Sequence, residues 1–185
     1  MPFDVSRLRA EFPILEQRIN GAPLHYLDNG ATAQTPQAVL DAIIHHETTA
    51  RANVLRGVHT LAERATDAYE AARDDVAKFV GAAEAREVIF TSGTTGSLNL
   101  VAHSLGETLA AGDEVVVSLL EHHSNFVPWQ MLRERKGIVL KVAPVTDDGE
   151  IDLGALEGLL SPRTKLVSLA HVSNVTGAIL DVPRA

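Results

Sequence analysis

The sequence predicts an α/β fold built on a mostly parallel sheet, and three observations predict it. From residue 87 onward, short β-rich runs alternate with segments of helical pattern. Those runs, such as residues 113–118, do not alternate apolar with polar side chains, which is typical of strands buried on both faces. The 185 residues are 45% hydrophobic and 22% charged, a composition that can supply a core for one domain or slightly more.

The N-terminal elements are short. A helix is predicted before Pro13, which stops it, and a strand is predicted over Leu24–Leu27. A polar, glycine-containing loop follows. The next helix begins at Pro36, with Thr35 as its N-cap, and runs to about His46.

A long amphipathic helix is predicted over residues 59–81. Gly81 is its predicted C-cap because glycine tolerates the left-handed conformation at that position. The apolar stripe recurs at steps of three and four residues and consists of Leu61, Ala65, Ala68, Ala72, Val76 and Phe79.

The rest of the chain alternates strand and helix. The predicted order is strand 87–93, helix 94–110, strand 113–118, helix 125–137, strand 138–145, helix 153–160 and strand 165–173. Ligands of parallel sheets bind at the carboxyl ends of strands. Three polar clusters, at residues 91–97, 121–125 and 170–177, follow predicted strands, so they line one crevice if the strand order brings them together.

The first cluster, "TSGTTGS", suits a phosphate. Gly93 permits a tight turn, and Thr94, Thr95 and Ser97 offer hydroxyls where a helix begins, with its unpaired N–H groups and partial positive charge. No lysine follows the glycines, so a nucleotide P-loop is excluded, and a single small phosphate fits better. The alternative is an ordinary N-cap without a ligand.

The second cluster, "EHHSN", contains His122 and His123. Adjacent side chains point in different directions, and zinc sites prefer wider spacing, so a metal site is the weakest interpretation. An imidazole that stacks on a flat ligand or transfers protons is favoured. A hydrogen-bonded loop histidine is the alternative. The other pair, His45 and His46, falls in a predicted helix, with one ring facing out.

The third cluster, "AHVSNVTG", contains Asn174. Its amide offers both a donor and an acceptor, so it could hold a phenolic or carboxylate oxygen. A turn-forming asparagine is the alternative.

Composition excludes several function classes. The net charge is −8 and no basic patch occurs, which argues against binding nucleic acid or anionic membranes. The absence of cysteine excludes disulfides, thiolate zinc sites and a cysteine nucleophile within these residues. No signal peptide or membrane-spanning stretch is evident, so a cytoplasmic location is expected.

Several segments together resemble the class V aminotransferase family of pyridoxal-phosphate (PLP) enzymes, which have fold type I. The segments are "YLDNGATAQTP", "RGVHTLAERAT", "GTTGSLNLVAHSLG", "EHHSNFVPWQ" and "HVSNVTG". Within the family the chain looks most like the SUF-type cysteine desulfurases. The resemblance implies a three-layer, mostly parallel large domain that is incomplete here. Residues 1–20 would form an N-terminal helical segment and residues 21–185 the N-terminal part of the PLP-binding domain.

The resemblance also implies roles for the cofactor-binding residues. Thr95, with Thr94 beside it, would bind the PLP phosphate. His122 would stack on the pyridine ring and serve as the catalytic residue that helps proton transfer, while His123 would be structural. Asn174 would contact the phenolic oxygen of the cofactor.

Substrate binding is assigned in the same way. Gly30 and Ala31 would lie near the substrate carboxylate, and Asn174 would also face the substrate. Arg56 and His59 would lie near the site entrance and a dimer contact. No metal is implied.

The implied reaction converts L-cysteine to L-alanine and leaves a persulfide for iron–sulfur cluster assembly, with a sulfur-acceptor protein and a homodimer as partners. The lysine, aspartate, cysteine and arginine of the family would lie beyond residue 185, so the chain is expected to be the front part of a longer protein, inactive and poorly soluble alone. The alternatives are a selenocysteine lyase, another class V enzyme, or a degenerate, non-catalytic interaction module.

Overall fold

The protein folds as two compact units. The computed structural model describes residues 3–185; the units are Met1–Phe90 and Thr91–Ala185. The helices are α1 Val5–Ala10, α2 Gln37–Thr49, α3 Thr60–Val80, α4 Gly93–Gly106, α5 Val127–Lys136 and α6 Leu153–Leu159. The strands are β1 Arg18–Ile19, β2 Ala22–Pro23, β3 Glu114–Ser118, β4 Val139–Ala143 and β5 Thr164–Val167. None of the helices within residues 3–185 has the length and apolarity of a membrane span.

The long helix α3 dominates the first unit, as its periodicity predicts. The His59 ring caps its start, where Nδ1 accepts the Ala62 N–H at 3.3 Å. Gly81 ends it in the left-handed conformation, with φ of 72°. The predicted apolar stripe is wrong as the buried face: of its members only Ala65 is buried, together with Ala62 and Ala77, whereas Leu61 is 43% and Phe79 91% exposed.

Two N-terminal predictions are wrong. Residues 24–27 form no strand; a two-residue hairpin, β1–β2, precedes them and turns at Asn20 and Gly21, whose φ values are 51° and 78°. Left-handed conformations at both positions suit a tight hairpin turn, and the pairing ends where the Leu24 N–H donates to Gln17 O at 3.0 Å.

The start of α2 also differs from the prediction. Pro36, not Thr35, is the N-cap residue, because the backbone is still extended at Pro36, with ψ of 155°. The helix then continues past His46 to Thr49, whose hydroxyl donates to the His45 carbonyl at 2.7 Å. His45 is exposed and His46 is half-buried, as the helical position of this pair predicts.

The second unit has the predicted parallel sheet. Its order is β4-β3-β5, with both neighbours parallel to the fully buried central strand β3. One face packs Val115 and Val117 against Trp129 of α5. The other face packs Val116 against Leu156 of α6. Helices therefore cover both faces, which confirms three layers.

The predicted strand over residues 87–93 is wrong. The backbone near Val88 is extended, yet it pairs with no strand of the described chain, and Ile89 is 69% exposed. A β-strand is stabilised by hydrogen bonds to a neighbour, so β propensity alone does not form one. The other strands and helices predicted for the second unit form; the largest difference is in β5, which ends at Val167 and not at residue 173.

An ion pair joins the three strands at the end of the sheet where β3 begins. Glu114 Oε2 lies 2.7 Å from Lys141 Nζ and accepts hydrogen bonds from Ser161 Oγ at 2.7 Å and Thr164 Oγ1 at 3.0 Å. The hydrogen bond from Lys141, followed by that from Ser161, lowers the pKa of Glu114 from 4.5 to about 2. The folded state therefore favours the ionised carboxylate.

This ion pair predicts acid sensitivity. The pKa of Glu114 is depressed on folding, so its contribution to stability is complete above the unfolded pKa of 4.5 and is lost as pH falls toward about 2. In Glu114→Gln, the urea midpoint should fall less steeply between pH 5 and pH 2 than in the unchanged protein. The exposed Glu157→Gln is the control. Equal slopes for the Glu114 variant and the unchanged protein would contradict the prediction.

Candidate functional site

The strand order brings two of the three polar clusters together. β3 and β5 are parallel neighbours, so the segments that follow them leave the same edge of the sheet. His122 follows β3 and Asn174 follows β5, and both line one cavity of about 290 Å³. Glu121 and Thr176 also line it.

Local hydrogen bonds orient the His122 ring. His122 precedes the 3₁₀ helix His123–Asn125, and its Nδ1 accepts the Ser124 N–H at 3.1 Å. Ser124 Oγ lies 2.9 Å from the same nitrogen. Because Nδ1 accepts, the neutral ring carries its proton on Nε2. The side chain is exposed, so that nitrogen remains available to a ligand.

The two adjacent imidazoles do not act as one surface. The rings of His122 and His123 are 6.2 Å apart between centroids and inclined by 57°. In residues 3–185 no group of three or more histidine, cysteine or acidic side chains is placed to hold a metal ion. His122 and His123 are therefore two separate candidate residues and not one binding surface.

A small closed loop presents Asn174. Ser173 is buried, and its hydroxyl accepts the N–H groups of Val175 at 3.3 Å and Thr176 at 3.2 Å. The Ser173 N–H donates to Ala178 O at 2.9 Å. Asn174 is thus exposed on a loop that hydrogen bonds of the neighbouring residues hold in place.

The start of α4 leaves donors open. Its N-cap residue, Ser92, makes no side-chain capping bond, so the first backbone N–H groups of the helix have no such partner. Thr94 and Thr95 are exposed, and their hydroxyls bond to none of the residues that the structure describes. In contrast, Thr91 Oγ1 bonds Gly93 O at 3.0 Å and lies 2.6 Å from Ser97 Oγ, which holds the turn.

The predicted site residues are only partly gathered. The cavity does not include Thr94 or Thr95, although α4 contacts the 3₁₀ helix that follows His122. Gly30 and Ala31 lie in a turn of the first unit, where the Ala31 N–H donates to Asp28 O at 3.2 Å. Arg56 and His59 also belong to that unit. The roles given to all six of these residues stay predictions.

Two further residues at the site were not found from the sequence. Glu121 and Asn125 flank the paired histidines and bond to each other, with Asn125 Nδ2 2.6 Å from Glu121 Oε2. Asn125 is buried although it is polar. A carboxylate three residues after the end of a buried strand, followed four residues later by an amide, is the signal that could have indicated them.

A larger cavity lies elsewhere. It measures about 530 Å³ between α4 and α5, and its polar residues include Asn99, His103, Glu134 and Arg135. It lies on an outer helical surface, away from the carboxyl ends of the strands. The smaller cavity at His122 is therefore the better candidate, because it has the strand-end position that ligands of parallel sheets occupy.

The sequence matches one protein family over most of its length. The aminotransferase class-V family matches residues 25–185. Over 183 residues, 98% of this chain, the sequence is 50% identical to a probable cysteine desulfurase of Mycolicibacterium paratuberculosis, of which it covers 27%. Over 178 residues it is 50% identical to a probable cysteine desulfurase of Vibrio cholerae, covering 96% of this chain and 44% of that protein.

Solved structures give the same family. The apo cysteine desulfurase of Thermococcus onnurineus matches all of this chain with a TM-score of 0.89 and 38% identity; 44% of that chain is covered. The chain thus spans less than half the length of these relatives. With the family matched over residues 25–185 and its fold reproduced, the chain belongs to the class V aminotransferase family.

Proposed function

We propose that this chain is the cofactor-binding part of a PLP-dependent cysteine desulfurase, which converts L-cysteine to L-alanine and transfers the sulfur to a cysteine as a persulfide. The observation that carries the proposal is the shared cavity of His122 and Asn174 at the carboxyl edge of the sheet. The similarity to cysteine desulfurases over 96–98% of the chain supports the substrate.

The residues present fit PLP. An open helix start with two free hydroxyls, at Thr94 and Thr95, suits a dianionic phosphate because N–H groups and the helix dipole favour negative charge. An exposed imidazole suits an aromatic ring, and the Asn174 amide suits a phenolic oxygen. When bound, PLP would supply an electron sink for bonds at the substrate α-carbon.

His122 would then have two tasks. Its ring would lie on the cofactor and keep it oriented, and its Nε2 would exchange a proton with the substrate. Ser124 engages Nδ1, so proton exchange would run through the opposite nitrogen. Asn174 would orient the cofactor and the substrate from the neighbouring loop.

The remaining chemistry needs groups outside these residues. The chain contains no cysteine, so the persulfide would form on a cysteine that is not among them. The covalent attachment of PLP would likewise use the lysine of the family, which none of the lysines in these residues matches. Supply of sulfur to an acceptor protein for iron–sulfur clusters, a homodimer and a cytoplasmic location stay predictions.

Removing the Thr95 hydroxyl should weaken PLP binding. Loss of one hydrogen bond to a charged phosphate oxygen costs about 1–2 kcal/mol, or roughly five- to thirtyfold in affinity for Thr95→Ala. Equilibrium dialysis of PLP against the 185-residue chain would measure it. Inorganic phosphate should compete with PLP.

Thr108→Ala is the matched control. It also removes a threonine hydroxyl, but just after the C-terminal end of α4, where Thr108 Oγ1 donates to Leu105 O at 2.7 Å. Its PLP affinity should equal that of the unchanged chain. An equal loss of affinity in both variants would contradict a phosphate site at the start of α4.

A further inference from the structure

The carboxylate of Glu121 is the centre of a hydrogen-bond network beneath the candidate site. Its Oε1 accepts from Ser118 Oγ at 2.7 Å and from the Ala170 N–H at 2.9 Å. Its Oε2 accepts from Asn125 Nδ2 at 2.6 Å. Three donors thus converge on one half-buried side chain, which lies directly before His122.

The network connects the two segments that carry the site. Ser118 ends β3 and Asn125 closes the 3₁₀ helix after His122. Ala170, in contrast, is 49 residues away along the chain, four residues before Asn174. Glu121 is therefore bonded to both the His122 loop and the chain that leads to the Asn174 loop.

The hydrogen bonds of Asn125 require a carboxylate, and not an amide, at residue 121. Asn125 Oδ1 accepts from Trp129 Nε1 at 3.1 Å and from Ser168 Oγ at 2.7 Å. If the side-chain amide were flipped by 180°, its NH₂ group would face these two donors. Its Nδ2 must then point at residue 121. Both oxygens of residue 121 have to accept, which glutamate satisfies and glutamine does not.

We propose that Glu121 is a positioning residue that sets the separation and orientation of the His122 ring and the Asn174 amide at the PLP site. Its carboxylate oxygens accept from Ser118, Asn125 and the Ala170 N–H, so it acts through the two loops that it joins. The assignment of the ligand rests on the proposed function, whereas the ordering of the loops by Glu121 does not.

The test uses Glu121→Gln in the 185-residue chain. We expect PLP affinity to fall about tenfold, as for loss of a charge-assisted hydrogen bond. We also expect the two ring-nitrogen NMR signals of His122 to move toward each other as the ring leaves its single tautomer. Glu134→Gln, at an exposed carboxylate without a hydrogen bond to the described residues, should change neither.

A swap variant separates positioning from packing. In Glu121→Gln with Asn125→Asp, the new amide N–H can donate to the new carboxylate, so the bond between residues 121 and 125 is restored with its polarity reversed, while the 3.3 Å bond from Asn125 Nδ2 to Ser168 O is lost. The His122 signals and most of the PLP affinity should recover, and this variant decides the question if the single variant does not fold. Leu156→Ala, buried on the opposite face of the sheet, should lower stability without changing the His122 signals.

Unchanged His122 signals in Glu121→Gln, or no recovery in the swap variant, would overturn the positioning role. If the unchanged chain binds no PLP, the proposed function fails, while the NMR signals of His122 still decide the role of Glu121. If Leu156→Ala alters the His122 signals as much as Glu121→Gln, general destabilisation explains both, and the proposal is rejected.

Discussion

Replacing His122 with alanine should lower turnover of L-cysteine by about 10²- to 10⁴-fold, the contribution of a positioned acid–base group. The ring is exposed in the cavity that it shares with Asn174, and Nε2 is its available nitrogen. Loss of stacking should also weaken PLP binding, by about 0.5–1.5 kcal/mol. The turnover measurement uses a chimera in which these 185 residues replace the matching part of the probable cysteine desulfurase of Vibrio cholerae.

His123→Ala is the internal control for this experiment. The neighbouring ring is exposed, and its plane is inclined by 57° to that of His122, so it does not share the same stacking surface. Alanine release and PLP affinity should stay close to those of the unchanged protein. Comparable losses in both variants, or full activity in His122→Ala, would refute the role given to His122.

Truncating Trp129 should produce the largest loss of stability. This side chain is 1% exposed and packs with Val115 and Val117 beneath the central strand. Trp129→Ala should lower the free energy of unfolding by about 3–5 kcal/mol, through lost burial and the cavity left behind. That is a large part of the 5–15 kcal/mol that stabilises an ordinary domain.

Two companion variants separate the causes. Trp129→Phe retains most of the packing but removes the Nε1 donor to Asn125, so it should cost about 0.5–1.5 kcal/mol. Met131→Ala, at a position 62% exposed, should cost little. Trp129 is the only tryptophan, so its replacement removes the tryptophan fluorescence signal. Urea unfolding should therefore be followed by far-UV circular dichroism. Equal midpoints for Trp129→Ala and Met131→Ala would contradict the assignment of Trp129 to the core.

Trp129 also connects stability with the site. Its Nε1 donates to Asn125, whose amide in turn donates to Glu121. A change in the core can therefore reach the His122 loop through two hydrogen bonds. For this reason we expect Trp129→Phe to alter the His122 ring signals more than its small stability loss would suggest.

The sequence by itself determined the parts of the fold that depend on short-range patterns. Continuous β-branched runs predicted a buried parallel strand at Val115–Val117, and helical periodicity predicted α3 with its end at Gly81. The strand-end rule also predicted that His122 and Asn174 would line one crevice if the strand order brought their strands together. These inferences succeeded because periodicity and glycine conformation act over a few residues.

Only the tertiary structure decided the features that depend on distant partners. Residues 87–93 have β-rich composition but no neighbouring strand, so they form none. Glu121 bonds to a residue 49 positions away and Asn125 to one 43 positions away. Short-range sequence patterns do not predict such pairings, because a hydrogen bond forms only where the packed chain brings donor and acceptor within about 3 Å.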